Sequence, residues 1–149
     1  MSPKLPVSVL VVVYTRELEV LLLERASRPG YWQSVTGSLD RADEPLELAA
    51  ARELVEETGI EAARGRLVRH NVANTFEIYA QWRHRFAPGV THNTEHVFSL
   101  ALEARLPVRL APEEHVAFAW LPWREAAEKC FSWSNRDAIR RVAESPVIS

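Results

Sequence analysis

Val7–Tyr14 reads VSVLVVVY, and a stretch this rich in β-branched residues has few places to go. Valine is stiff at χ1 and packs well on a pleated surface, so the run predicts a strand. Almost no polar residue alternates with the apolar ones, so neither face of that strand can meet water. Its eight residues are also too few to cross a bilayer, and no small-residue cleavage site follows. A cytoplasmic protein with no membrane partner is therefore expected.

The rest of the chain supplies what such a strand requires. Glu19–Glu24 (EVLLLE) predicts a second strand joined through a hairpin. Tyr31–Gly37 (YWQSVTG), after a Pro29–Gly30 turn, predicts a short third one. Further strands are expected at 65–71, 75–82, 96–102 and 115–120. Pro45 opens a helix that stops at Gly59, and Pro122 opens another through Lys129. Ser134 is the expected cap of a last helix over Asn135–Ala143, with Asp137 completing a capping box. Strands outnumber helices and their order is mixed, which predicts an α+β or mixed α/β/α sandwich rather than a doubly wound sheet. No repeat or long linker divides the chain, so one domain over residues 1–149 is expected. The five tryptophans are read mostly as core.

Composition excludes several functions. A net charge of −2 argues against a nucleic-acid partner, which needs a basic surface. The single cysteine, Cys130, excludes a disulfide framework and a thiolate zinc site, and reads as a small buried hydrophobe.

The predicted helix before Gly59 breaks a rule of helix design. Glu53, Glu56 and Glu57 stand at i, i+3 and i+4 in its last turns, where the dipole is already negative. Each such charge costs roughly 0.3–1 kcal/mol, and like-charged neighbours cost more. Leu48, Ala51 and Val55 form an apolar stripe on the other side, Ala50 and Leu54 another edge, and Ile60 is placed to touch Val55 in a Schellman stop. Two explanations fit the charges. One is a solvated acidic face eased by an Arg52–Glu56 pair. The other is a divalent cation, with Mg²⁺ or Mn²⁺ suited to oxygen-only ligands. A calcium EF-hand fails, because Ala42 occupies a ligand position and the required glycine is missing.

Glu44, seven further residues, and then RELVEETGI (Arg52–Ile60) resemble the signature of the Nudix hydrolases. Gly37 completes the match, one residue further from Glu44 than the family spacing, with SLDRAD as the intervening loop. The resemblance implies a mixed sheet between helices and an Mg²⁺-dependent hydrolase of a diphosphate linkage. It implies Glu53 and Glu57 as main metal ligands and Glu56 as a further ligand or base. Arg52 is then a partner that orients a neighbouring carboxylate, and Glu44 rather than Asp43 the early acid.

Three further segments are similar to one branch of that family, the bacterial enzymes that act on dihydroneopterin triphosphate in folate synthesis. They are WQSVTGS (Trp32–Ser38), RHRFAPGVTHNTEHVF (Arg83–Phe98) and SWSNRDAI (Ser132–Ile139), and the similarity runs from Lys4 to about Ile139. It implies substrate contacts at Lys4, Arg25, Thr36, Phe76, Glu77, Ile78, Tyr79 and Ser132, and a metal-site carboxylate at Glu114. Arg83, His84 and Arg85 are read as phosphate-holding groups on a strand, with alternate members on one face. A monomer acting on a small pterin or nucleoside triphosphate is expected. The competing expectations are a dATP or damaged-nucleotide hydrolase and, from a different class, a silent Nudix domain that senses a ligand or binds RNA.

Overall fold

β1 (Val7–Thr15) divides its side chains between two helical layers. Val9, Val11 and Val13 pack with Ala49, Ala50 and Leu54 of α1 (Leu46–Thr58). Leu10, Val12 and Tyr14 pack instead with Ala126 and Ala127 of α2 (Trp123–Lys129) and with Ala138, Ile139 and Val142 of α3 (Trp133–Glu144). The unalternated run is thus buried on both faces, as its composition requires, and each fully buried Val or Leu contributes about 1.5–3 kcal/mol. The structure, a computed structural model, describes residues 2–146.

The remaining strands are β2 (Glu19–Arg25), β3 (Trp32–Gln33), β4 (Val35–Ser38), β5 (Arg66–Glu77), β6 (His92–Leu102) and β7 (His115–Pro122). They form one mixed sheet in the order β3-β2-β1-β6-β5, with β4 paired to β1 and β7 to β2. β1 and β6 run parallel from Val7–Thr94 to Thr15–Leu102, and the other pairs are antiparallel. The α/β/α sandwich expected from the strand order is the fold observed.

Several expected boundaries shift, each for a physical reason. The strand expected over Tyr31–Gly37 splits at Ser34, whose N–H donates to Asn135 Oδ1 at 2.8 Å while Asn135 Nδ2 donates to Ser34 Oγ at 2.9 Å. Asn135 therefore satisfies the backbone where the strand changes partner from β2 to β1. The two strands expected at 65–71 and 75–82 are one strand, β5, irregular between Arg69 and Ala73, where Asn71 has φ 55. It ends at Glu77, and Ala80–Arg85 form a 3₁₀ turn. Arg83, His84 and Arg85 consequently do not share a strand face. Ser132, not Ser134, caps α3 by accepting from Asn135 N at 3.1 Å, and Asp137 pairs with Arg140 rather than closing a capping box.

Alanine and leucine make residues 46–58 good helix formers. Pro45 precedes the first turn with φ −59, and Gly59 ends the helix at φ 74, its N–H donating to Val55 O at 2.9 Å. Ile60 N–H donates to Thr58 Oγ1 at 3.0 Å, and Ile60 is buried in the core. Val55 and Leu48, expected on an apolar stripe, are both exposed. The helix turns its small residues to the sheet and, beside them, Glu53 and Glu57. None of the five tryptophans is fully buried. Trp32, Trp120 and Trp123 pack partly buried against the cores, while Trp82 and Trp133 line a cavity. Cys130 is buried, and burial pushes its thiol up to about 12.

Candidate active site

Glu53 and Glu57 are 7 % and 2 % exposed, which rules out a merely solvated acidic face. Both reach β4, whose Gly37 leaves the room they occupy. A Cβ on Gly37 would lie 2.2 Å from the carboxyl carbon of Glu53 and 2.3–2.4 Å from its oxygens. The backbone N–H of Thr36 supports Glu57. Burial raises the titration of both acids, Glu57 well above the usual carboxylate range, and the neighbouring Glu53 carboxylate adds to the effect on Glu57. Among the described residues nothing partners Glu57 Oε1, although it is buried.

Arg52 ties the surrounding loop to the helix. Its Nε and Nη2 donate to Glu44 at 3.0 and 3.1 Å, Nη1 to Glu53 at 2.8 Å, and Nη2 to the Ser38 carbonyl at 3.2 Å. Glu56 and Asp40 complete the ring at 3.4 and 3.1 Å. Glu44 is buried, accepts also from Asp40 N at 2.8 Å, and has its titration lowered by the hydrogen bonds from Arg52. Glu44 thus positions Arg52 and the loop, whereas Asp43 stands in solvent with Arg41. The longer loop keeps Glu44, not Asp43, in register with the arginine.

A cavity of about 600 Å³ opens beside this helix end. Lys4, Arg25, Thr36, Phe76, Glu77, Ile78, Tyr79 and Ser132 all line it, so the residues expected to contact substrate are brought to one place. One end is cationic. Lys4 and Arg25 are half-buried, and burial together with Arg85 lowers the titration of each, opposed by acids that include Glu114. Arg25 lies 4.8 Å above the Trp82 ring, donates to Gln33 at 3.2 Å, and leaves its Nε without a partner among the described residues. Arg83 and Arg85 both line the cavity, Arg83 tied there to Glu77 and to the Ile78 carbonyl, whereas exposed His84 does not line it. Thr36 Oγ1 donates to the Val9 carbonyl at 3.0 Å, so its hydroxyl is already engaged. Tyr79, Trp82 and Phe131 form an aromatic wall with centroids 5.3–6.3 Å apart.

Glu56 and Glu114 are exposed. Among the described residues no three His, Cys, Asp or Glu side chains already enclose a metal position. The donors nonetheless suit a hard divalent cation. Glu53 and Glu57 supply oxygen only, Glu57 Oε1 lacks a partner, and the charge of Glu114 acts on Glu57 from the loop before β7. A cation at the pair would offset the cost of burying its charge.

Other cavity residues carried no site assignment from sequence. Gln33, Asn93, Glu95, Phe131, Ser134 and Asn135 line it. The signal for two of them was the alternation of Asn93 and Glu95 just before an apolar strand. Their polarity disguised the start of β6, expected at His96 and observed at His92.

The model of the NUDIX domain matches residues 4–142. The chain is 44% identical over 141 residues to the dihydroneopterin triphosphate diphosphatase of Escherichia coli K12, covering 93% of this chain and 92% of that one. It is 38% identical over 138 residues to the Haemophilus influenzae protein of the same name, covering 90% and 85%. The solved structure of the E. coli dihydroneopterin triphosphate pyrophosphohydrolase superposes with a TM-score of 0.88 at 43% identity, over 95% of this chain and 97% of that one. The acidic helix, its arginine-bound loop and the sheet that carries them therefore have one source: the chain belongs to the Nudix family of hydrolases.

Proposed function

We propose that this hydrolase converts dihydroneopterin triphosphate and water to dihydroneopterin monophosphate and pyrophosphate, with Mg²⁺ at Glu53 and Glu57. The observation that carries the reading is the cavity. It joins a cationic end beside the buried Glu53–Glu57 pair to an aromatic wall, in a volume of about 600 Å³ suited to a small phosphorylated ring. The relatives' names point to the same substrate.

Lys4, Arg25 and Arg85 offset the charge of the phosphate chain at the mouth of the carboxylate pair. Glu53 and Glu57 hold the cation, with Glu56 or Glu114 as a further ligand, and Mn²⁺ can substitute. When bound, that ion supplies positive charge to the phosphates and lowers the cost of deprotonating the attacking water. Glu56, exposed and bound to Arg52 only at 3.4 Å, is free to swing and accept the water's proton. Water forms the new bond to the α-phosphorus, and the bridging oxygen between the α- and β-phosphorus leaves with pyrophosphate. Arg52 and Glu44 hold Glu53 in place while this occurs. The proposal includes a cytoplasmic monomer with a free small molecule as substrate.

The test is a set of Mg²⁺ assays across dihydroneopterin triphosphate and the common nucleoside triphosphates. The highest kcat/KM is expected with the pterin. Equal or better use of dATP would replace this reading with that of a nucleotide-pool hydrolase, and silence toward every triphosphate would favour a ligand-sensing domain.

A further inference from the structure

The cavity has a second set of polar residues, on β6. Ser8 of β1 pairs with Ser38 of β4 on one side and with Glu95 of β6 on the other. Glu95 therefore lies two strand spacings, roughly 10 Å, from the phosphate-side strand. Asn93 and Glu95 alternate onto the same face of β6, and both line the cavity. Each is 6 % exposed, and among the described residues Asn93 Oδ1 and Glu95 Oε1 have no hydrogen-bond partner. Asn93 Nδ2 donates to Ser8 Oγ at 2.8 Å, which leaves its carbonyl oxygen as the free group. Asn93 Oδ1 and Glu95 Oε1 are thus two buried atoms on one face that no donor meets among the described residues, which is costly unless a ligand brings donors. Lys4 and Arg25, the cations at the other acids, act on Glu53, Glu57 and Glu114, whereas burial and Ser134 are what act on Glu95.

We propose that Glu95 is the specificity-determining group of the site, its carboxylate receiving the adjacent ring N–H and exocyclic NH₂ of a 2-amino-4-oxopyrimidine ring, with Asn93 Oδ1 as a neighbouring acceptor. The two donors of such an edge diverge from one carbon as the N–H groups of a guanidinium do, and a carboxylate accepts both at once. Pterins and guanine carry this edge. Adenine does not, because its corresponding ring nitrogen is an acceptor and would face the carboxylate lone pairs. The aromatic wall accepts any flat ring, so it cannot make this distinction. Ser134, whose hydroxyl bonds Glu95, and Ser132, which caps α3, fix the helix start against these residues. The inference deepens the pterin reading of the cavity and rests on it for the natural substrate.

Two measurements test it. The first is Glu95→Gln, assayed with dihydroneopterin triphosphate and with dATP on the same preparation, so that the ratio is independent of the folded fraction. The pterin kcat/KM should fall about 100-fold while dATP changes less than about threefold, because only the pterin loses its matched acceptor. An unchanged ratio would overturn the proposal. The second needs no variant. Competitive inhibition by pterin is compared with that by lumazine, which has a second oxo group in place of the 2-amino group. Pterin should bind at least about tenfold more tightly, and equal inhibition would overturn the proposal. The substrate reading fails separately, if wild-type enzyme prefers dATP while pterin still outcompetes lumazine.

Discussion

The α-carbon of Gly37 faces the carboxyl group of Glu53 so closely that a single added methyl would overlap it, at 2.2 Å from the carboxyl carbon. Two elements far apart in the local chain geometry, a strand end and a helix end, thus meet through a missing side chain. The atom displaced by Gly37→Ala is the far end of a flexible side chain, so the fold should survive. Melting should shift by no more than about 1 kcal/mol equivalent, within the range of mild overpacking. The Glu53 carboxylate, however, must move, and a displacement of about 1 Å in a reacting site costs on the order of 100-fold in rate. Turnover and melting measured together check this, and wild-type turnover in Gly37→Ala would contradict it.

Arg52 donates to Glu44 through two nitrogens and reaches Glu53 with a third. Glu44→Gln removes the charge that holds this fork, whereas Asp43→Asn changes only an exposed pair with Arg41. Steady-state kinetics should show a 10–100-fold loss for Glu44→Gln, as for other partners that orient metal-site ligands, and under about twofold for Asp43→Asn. The opposite order would mean that the loop register is assigned to the wrong acid.

Much of this site was legible because its signals are local. Pro45 and Gly59 bound a helix, and charges at i, i+3 and i+4 in its last turns demand an explanation. The direction in which the helix faces was not legible. Leu48 and Val55 suggested an apolar face, but both are exposed, while Glu53 and Glu57 are buried, Glu53 in the space left at Gly37. Burial of a charge depends on what stands opposite, which no spacing within the helix reveals. The cavity's β6 residues were hidden for a related reason. Asn93 and Glu95 read as loop residues because they are polar, yet they lie in β6, where Asn93 pairs with Phe76 of β5 and Glu95 pairs with both Ser8 of β1 and Asn74 of β5. The Ala80–Arg85 turn was missed because its aromatic and basic residues continue the alternation of β5 without its hydrogen bonds.

Burial pushes the Glu95 carboxyl up to about 7, against 4.5 for an unperturbed glutamate, with a hydrogen bond from Ser134 opposing. A raised folded-state value means that the folded chain holds its proton more tightly than the unfolded chain does. The resulting stability is complete below about pH 4.5 and is lost as pH rises through about 7. Gln cannot ionise, so Glu95→Gln should melt increasingly above wild type between these pH values, by up to on the order of 2–3 kcal/mol. A pair of denaturant titrations at pH 4.5 and 8 measures the gap. Parallel pH–stability curves would show that Glu95 is not held in a desolvated environment.

Product analysis tests the central claim most directly: that the buried Glu53–Glu57 pair drives water onto the α-phosphorus of a pterin triphosphate. Dihydroneopterin triphosphate is turned over in ¹⁸O-labelled water with Mg²⁺, by wild type and by Glu57→Gln, and the products are resolved by mass. Wild type should give pyrophosphate without label and monophosphate carrying one labelled oxygen, in equal amounts. Glu57→Gln should give the same products at a rate lower by roughly 10²–10⁴, with its fold intact. Orthophosphate as the leaving product, label in the pyrophosphate, or near wild-type turnover by Glu57→Gln would contradict the account.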